Sequence, residues 1–351
     1  MRNKPVVPVL LIALTALFAL VGAQAASAFT TRGSIGEVYL EGAKAKQKVE
    51  LLGSKSGKVL KTGKADRFGS YIVRDLVEGA KYKGRVGSST KSATVLKAGD
   101  SPKESFYKSL PKLKAGLDYV KMRDGVELAM TVRLPAGKTL DDGPFPTVIE
   151  YSGYQVAAPG DLLSSIVGGK PDPLAPASGT IIGSALAPLL GYASVSVQMR
   201  GSGCSGGAFD LFDLPTTYGG YDAVGTIAAA VEPTPAQPWA KGGMVGLVGI
   251  SFSGISQIFV AGARPPHLAA IAPMSITDDL YNATGYPGGI FNSGFALSWI
   301  KERVADAKPA PEGGQPYARE LVKRGDKNCA ANQKLRLQTQ DVLDLIRKNP
   351  Y

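Results

Sequence analysis

The feature that most constrains the fold is an alternation of apolar runs and helical segments between residues 126 and 276. The runs typical of strands are VELAMTVRLP, PTVIEYSGY, ASVSVQMRG, MVGLVGIS and LAAIAPMS, and the helical segments are YGGYDAVGTIAAAVE and SGISQIFVAGA. Strands that alternate with helices indicate a mostly parallel sheet covered on both faces. We therefore predict an α/β domain over residues 116–276.

The region before it follows a different pattern. Short alternating runs are separated by turn-forming stretches: SIGEVYL, QKVELLG, KVLKTGK, GSYIVRDL, YKGRVGS and SATVL. Strands at this spacing predict a small all-β sandwich, here over residues 29–98. The piece KADRFGSYIVRDLVEGAKYKGRV resembles the carboxypeptidase-regulatory or transthyretin-like sandwich. A lysine- and proline-containing linker, residues 99–115, follows it.

Residues 1–28 have the pattern of an export signal. Arg2 and Lys4 precede the apolar run VVPVLLIALTALFALVG, and the segment Ala26-Ser27-Ala28 fits a cleavage site. The alternative is an uncleaved membrane anchor. Export predicts a secreted or cell-envelope-associated protein.

The two cysteines, Cys204 and Cys329, form a plausible disulfide in an oxidising compartment. The alternative is two unrelated thiols, because the sequence does not supply the distance between them.

The positive charge is concentrated in one part of the chain. The net charge is +11, and residues 29–115 hold 19 Lys and Arg against 8 Asp and Glu. One interpretation is contact with an anionic cell envelope through this region. The other is a solvated sheet surface, which the scattered lysines favour. We do not expect nucleic-acid binding, since aromatic and basic residues are not interleaved.

The segment MVGLVGISFSG places Ser251 at a predicted strand-to-helix turn. Such a turn lifts its residue out of the sheet in a strained backbone conformation, so the positions two residues away must be small. Here they are Gly249 and Ser253, and the backbone N–H of Phe252 would face a developing oxyanion. The alternative is an ordinary turn with Ser251 as a helix cap. Ser253 is a weaker candidate nucleophile because Ile255 is not small.

A second glycine motif must be considered. Gly201, Gly203 and Gly206 form a G-x-G-x-x-G pattern after the strand ASVSVQM, as in a dinucleotide-binding loop. A dinucleotide loop opens directly into a helix and belongs to the first βαβ unit. Here GAFDLFDLP follows and two strands precede, so the match is weak.

Several motifs in order give a specific resemblance. RGSGCSGG, QPWAKGGMVGLVGISFSG and RPPHLAAIAP resemble segments of the cocaine-esterase and Xaa-Pro dipeptidyl-peptidase family of serine hydrolases. The resemblance covers about residues 116–351. It implies an α/β-hydrolase fold with Ser251 as the nucleophile and the start of a helical cap over residues 277–351. Gln198 stands where the family commonly has Asp.

The resemblance also implies a second oxyanion donor, Tyr154, in the turn Ser152-Gly153-Tyr154. The alternative for Tyr154 is a packing or interface residue. The implied substrate is a small ester or an Xaa-Pro peptide. No cofactor or metal is implied, because one histidine and two distant cysteines make no ligand cluster.

A general base is the missing part. The single histidine, His267, follows Ser251 by only one helix and matches a non-catalytic Pro-Pro-His of the family. Asp278 and Asp279 come too early to be the acid. We therefore expect a hydrolase truncated before its Asp and His, nearly inactive alone. The alternative is a non-catalytic protein that binds the envelope through its basic sandwich.

Overall fold

The computed structural model describes residues 28–160, 172–176, 182–231 and 234–348. The predicted export signal, apart from Ala28, therefore lies outside the described residues. Within these ranges, no helix is both long enough and apolar enough to span a bilayer.

The N-terminal region forms two antiparallel sheets. Its strands are β1 (Thr30–Gly33), β2 (Val38–Glu41), β3 (Lys48–Gly53), β4 (Val59–Lys64), β5 (Tyr71–Val73), β6 (Lys81–Val86) and β7 (Ser89–Thr94). One sheet has the order β1-β2-β5 and the other β4-β3-β6-β7. Val38 and Leu40 of the first sheet are buried in one core with Val49 and Leu51 of the second. This shared core makes the region a small sandwich.

The second region is built on a six-stranded mixed sheet. Its strands are β8 (Gly116–Lys121), β9 (Glu127–Arg133), β10 (Thr147–Ser152), β11 (Ala193–Gln198), β14 (Val245–Ile250) and β15 (Leu268–Met274), and a small hairpin, β12 (Ala230–Val231) and β13 (Thr234–Pro235), lies outside it. The order is β15-β14-β10-β11-β9-β8. The first four strands run parallel, and β8 and β9 are antiparallel. Strand β8 was not predicted, because GLDYVK has no apolar run.

Helices cover both faces of this sheet. The helices are α1 (Glu104–Lys108), α2 (Ile182–Leu186), α3 (Leu214–Ala228), α4 (Phe252–Gly262), α5 (Phe295–Asp306), α6 (Pro316–Lys323), α7 (Lys327–Ala331) and α8 (Val342–Lys348). Helix α2 contacts the face that carries Glu150, whose carboxylate accepts the Ser184 N–H at 2.9 Å. The neighbouring residue Tyr151 points to the other face, since side chains alternate along a strand, and there it meets α3.

The helical region after β15 is richer than predicted. Helices α5 and α8 match the predicted segments FALSWIKERVADA and QTQDVLDLIRK, whereas α6 and α7 were not predicted. A disulfide joins Cys204, in the loop after β11, to Cys329 of α7, with the Cα atoms 4.6 Å apart. The helical region is thereby tied to the sheet domain.

The glycine loop after β11 is filled by a side chain of this same chain. Arg336 donates hydrogen bonds to the backbone carbonyls of Gly201, Gly203 and Ser205. Burial lowers the pKa of Arg336 to about 10. No helix begins directly after this loop; the next one starts at Leu214. The G-x-G-x-x-G pattern therefore forms a loop whose carbonyl groups are bound by the side chain of Arg336.

Ion pairs hold the sandwich against the sheet domain. Arg200 forms a buried pair with Asp124, at 2.7 Å, and Asp124 also accepts the Ser34 hydroxyl at 2.6 Å. Burial alone would raise the pKa of Asp124, but the guanidinium of Arg200 holds it below its usual range. Arg200 and Asp124 both belong to the sheet domain, and it is the hydrogen bond from Ser34 of the sandwich to Asp124 that links the two regions.

Four further residues at this contact form what we call the carboxyl cluster: Glu37, Arg74, Asp210 and Asp213. One carboxylate oxygen from each acid lies within 4.8 Å of the others. Arg74 supplies positive charge, 2.7 Å from Asp210 and 3.1 Å from Glu37. Glu37 and Asp210 are far apart in the sequence, so histidine and cysteine positions alone do not predict this group of acids.

Candidate active site

Ser251 lies at the turn between β14 and α4. Its backbone has φ 58° and ψ −119°, and its side chain makes no capping hydrogen bond. A positive φ is uncommon for a residue with a side chain and is stable only when its surroundings impose it. The structure thus has the strained conformation predicted for a nucleophile turn and lacks the bond of a helix cap.

The small neighbours of Ser251 are required by close approach. A Cβ added at Gly249, where φ is 146°, would lie 2.3 Å from the Cβ of Ser253. A Cβ added at Gly254 would lie 2.3 Å from the carbonyl oxygen of Met274. Strand and helix can therefore meet this tightly only with glycine at both positions.

The two candidate serines differ in access to solvent. Ser251 is partly exposed, whereas Phe252, Ser253 and Gly254 are buried. A buried hydroxyl such as that of Ser253 does not meet a substrate. The first N–H groups of α4, starting with Phe252, have no partner inside the helix and are available to an anion.

Tyr154 reaches Ser251 from the adjacent strand. Because β10 and β14 are parallel neighbours, the turns that follow them lie at the same edge of the sheet. The Tyr154 hydroxyl lies 3.2 Å from the Ser251 Oγ. Its ring packs edge-to-face on Phe252, with the ring centroids 5.5 Å apart. Phenol, hydroxyl and the start of α4 therefore converge on one point.

The turn that carries Tyr154 is held by amides. The Gly153 carbonyl accepts hydrogen bonds from Gln315 at 2.8 Å and from Gln198 at 3.3 Å. A Cβ on Gly153 would lie 2.3 Å from the Phe252 ring. Gln198 stands where the family commonly has Asp, and here its amide donates a bond that an ionised carboxylate could not.

Two residues of α5 complete the surroundings of Tyr154, and sequence reasoning missed both. The indole Nε1 of Trp299 donates to the Tyr154 hydroxyl at 3.0 Å. The guanidinium of Arg303 lies 4.9 Å from the centroid of the Tyr154 ring. The only signal for them was an aromatic and a basic residue one helical turn apart, which is common on ordinary surface helices.

The histidine and Ser251 lie at opposite ends of the parallel strands. His267 immediately precedes β15, and its Nδ1 is 2.9 Å from the Gly243 carbonyl oxygen, just before β14. Strand β14, with six residues, separates this point from Ser251. At roughly 3.3 Å per residue, the separation is about 20 Å, too far for proton transfer.

The two early aspartates have other surroundings. Asp279 accepts the backbone N–H groups of Tyr281 and Asn282, each at 2.9 Å, and caps the helical turn that follows. The hydrogen bond from the Asn282 backbone holds the pKa of Asp279 below its usual range. Asp278 is exposed to solvent.

Comparison with known proteins assigns a family to the chain that carries this strained serine. The family model described as X-Pro dipeptidyl-peptidase (S15 family) matches residues 124–350. The chain belongs to this family. The resemblance given by the sequence motifs is thereby confirmed, as is the α/β-hydrolase fold of the mixed sheet.

The chain matches only part of the length of each similar protein. A predicted serine esterase of Mycobacterium bovis is 32% identical over 185 residues, which is 52% of this chain and 27% of the relative. A cocaine esterase of a Rhodococcus species is 30% identical over 184 residues, 51% of this chain and 27% of the relative. This S15-family chain therefore spans about a quarter of the length of the curated relatives it matches.

Among solved structures, the chain is similar to a CocE/NonD family hydrolase from Staphylococcus aureus. The two share 19% identity with a TM-score of 0.45, and the match covers 68% of this chain and 40% of the other.

Proposed function

We propose that this S15-family chain carries the nucleophile and the oxyanion-binding groups of a hydrolase that cleaves an ester or an Xaa-Pro peptide bond. The observation that carries the proposal is the geometry at Ser251: a positive φ at a strand-to-helix turn, with the Tyr154 hydroxyl 3.2 Å from Oγ. The family and the curated esterases support the choice of an acyl substrate.

The chemistry follows from these groups. A base takes the proton of the Ser251 Oγ, and the oxygen attacks the carbonyl carbon of the substrate. The carbonyl π electrons move to oxygen, and this oxyanion is held by the Phe252 N–H and the Tyr154 O–H. The intermediate collapses, the alcohol or amine leaves with the proton from the base, and an ester on Ser251 remains. A water molecule, deprotonated by the same base, then attacks this ester, and the acid is released as the Ser251 Oγ takes the proton back.

We assign the general base to a histidine outside these 351 residues, because His267 lies at the amino-terminal end of the parallel strands and Ser251 at the other end. The unpaired edge of β15 offers a position for the segment that would carry this histidine. Strand β15 pairs with β14, and no other strand pairs with it in the described part of the chain. Ala269, Ala272 and Met274 are exposed along it. An apolar edge of a parallel sheet is a site where further strands pair.

The test is hydrolysis of p-nitrophenyl acetate by the purified 351-residue chain. Without a histidine near Ser251, we expect only the weak residual turnover that oxyanion stabilisation provides, at most about 10³–10⁴-fold over water and several orders of magnitude below a complete triad. Robust turnover that disappears in Ser251→Ala would contradict the assignment of the base. Comparison with an Xaa-Pro p-nitroanilide separates esterase from peptidase preference.

The proposal includes secretion. A buried disulfide between Cys204 and Cys329 supports it, because such bonds persist in oxidising compartments. Detection of the mature chain in the culture medium, with its N-terminus near Phe29, tests it. Retention of residues 1–28 in the membrane fraction would instead favour the anchor.

A second candidate function is contact with an anionic cell envelope through the sandwich. Residues 29–115, which include the sandwich, hold 19 Lys and Arg against 8 Asp and Glu. An excess of positive charge in one region attracts an anionic surface. Retention of the protein on cell walls at low salt, and release at high salt, tests this candidate.

A further inference from the structure

The Tyr154 hydroxyl has two polar neighbours that come from different parts of the fold. Trp299, on helix α5, lies 3.0 Å away through its Nε1, and Ser251 lies 3.2 Å away through its Oγ. An indole N–H can only donate, so the phenol oxygen accepts from Trp299. The hydrogen bond between Tyr154 and Ser251 has no such intrinsic direction.

The bond from Trp299 sets that direction. A phenol has one proton, and among the described residues the Ser251 Oγ is the only acceptor in reach of it. With the Trp299 N–H on one side of the oxygen, the Tyr154 proton is left for the side that faces Ser251. That side is where the oxyanion forms when the serine attacks a carbonyl group, so the donor is aimed before the reaction begins.

The rings around this hydroxyl are packed so that they hold its position. Phe252 contacts both Tyr154 and Trp299 edge-to-face, with centroids 5.5 Å and 5.2 Å away. The guanidinium of Arg303 lies 4.9 Å from the Tyr154 ring and 5.8 Å from the Trp299 ring. A cation beside an aromatic ring draws on its electron density, which strengthens the O–H and N–H groups as donors.

We infer that Trp299 is a positioning residue: it orients the Tyr154 proton toward Ser251, and helix α5 thereby completes the oxyanion-binding site. The inference rests on the proposed function for the role of Tyr154, but the hydrogen bond itself does not. Trp299 acts through Tyr154. Docking of the helical region is therefore part of the chemistry.

The first test reads the hydrogen bond directly. The chain has two tryptophans, Trp239 and Trp299, so a ¹⁵N-correlated spectrum of the full chain shows two indole N–H signals. The Nε1 of Trp239 is buried without a partner among the described residues, which makes it an internal control. In Tyr154→Phe, the Trp299 signal moves toward the position of an unbonded indole and the Trp239 signal stays. An unmoved Trp299 signal overturns the inference.

The second test is a double-mutant cycle on the rate at which a fluorophosphonate labels Ser251. Trp299→Phe keeps an aromatic ring against Phe252 and removes the N–H, and we expect it to slow labelling about 3–10-fold. In a Tyr154→Phe background the same change has no effect, because the hydroxyl on which it acts is gone. Equal slowing in both backgrounds shows a purely structural role and overturns the inference. Because the base is proposed to lie outside these residues, labelling is followed at mildly alkaline pH, where solvent hydroxide takes up the serine proton. If wild type is not labelled even there, the proposed function fails, and the indole spectrum alone decides.

Discussion

Two polar groups of residues in this molecule are organised in opposite ways. The serine cluster, which is Ser251, Phe252, Tyr154 and Trp299, consists of uncharged donors and acceptors grouped around the partly exposed residue Ser251. The carboxyl cluster lies between the sandwich and the sheet domain and consists of charged or ionisable groups that face one another. The serine cluster has a strained backbone at its centre, whereas the carboxyl cluster is held by ion pairs.

The difference shows what each arrangement is for. Donors that point at a site without an anion are poised to stabilise a negative charge that appears only during a reaction. Acids grouped around an arginine interact with a charge that is present in the resting protein, so their contribution is to the contact between two regions. The comparison predicts that changes in the serine cluster alter reactivity, and that changes in the carboxyl cluster alter stability and its dependence on pH.

The largest effect is expected at Gly249, where the absence of a side chain lets β14 and α4 approach each other beside Ser251. Gly249→Ala adds a Cβ 2.3 Å from that of Ser253, at a φ of 146°. We expect a loss of about 3 kcal/mol in the free energy of unfolding, measured by urea denaturation. The matched control is Gly246→Ala on the same strand, whose new Cβ has its nearest neighbours at 3.7 Å. Equal effects at the two glycines would show that the turn is not tightly constrained.

The next effect separates reactivity from stability. Tyr154→Phe removes the hydroxyl but keeps the ring on Phe252, so we expect the rate of Ser251 labelling to fall about 10²-fold. The free energy of unfolding should change by no more than about 1 kcal/mol. Tyr192→Phe, at an exposed tyrosine, is the control and should label like wild type. A Tyr154→Phe rate close to wild type would make Tyr154 a packing residue.

The smallest effect concerns the carboxyl cluster and pH. Burial raises the pKa of Glu37 to about 8 despite nearby Arg74, whose shorter bonds go to Asp210. Burial likewise raises the pKa of Asp213 to about 7. A carboxyl whose folded-state pKa is raised binds more protons in the folded state, so stability falls as pH rises from about 4.5 to about 8.

Glu37→Gln removes the larger of these two contributions. We expect wild type to lose about 2 kcal/mol more than Glu37→Gln between pH 5.5 and pH 8.5, followed by urea denaturation at each pH. Glu312→Gln, at an exposed carboxylate, should behave as wild type. Parallel pH profiles for wild type and Glu37→Gln would show that Glu37 is already ionised in its pair with Arg74.

The sequence was most informative where local geometry decides the structure. Gly249, Ser251 and Ser253 belong to one short turn, so their spacing alone predicted its conformation. Tyr154 could be proposed only through the family resemblance, because its partner lies 97 positions away on another strand. The pattern of Tyr154 itself was also compatible with packing.

Contacts that depend on how distant elements dock were not predicted. The Trp299 indole and the Tyr154 hydroxyl are separated by 145 positions, and Arg74 and Asp210 by 136. A helix pattern places Trp299 on one side of α5 but does not say what that side meets. Strand β8 was missed for a related reason: it is only half-buried at the edge of the sheet, so it lacks an apolar run.

The most direct measurement maps where a fluorophosphonate attaches to the folded chain. At mildly alkaline pH, solvent hydroxide replaces the base that is proposed to lie outside these residues. Under that condition, peptide mass spectrometry of the 351-residue protein should find the adduct on Ser251 and none on the buried Ser253, and Ser251→Ala should carry none. His267→Gln should label at the wild-type rate, because its imidazole is bound to the Gly243 carbonyl at the opposite edge of the sheet. Adducts spread over exposed serines, or a Ser251 that stays unmodified while others react, would contradict the claim that this turn presents a nucleophile.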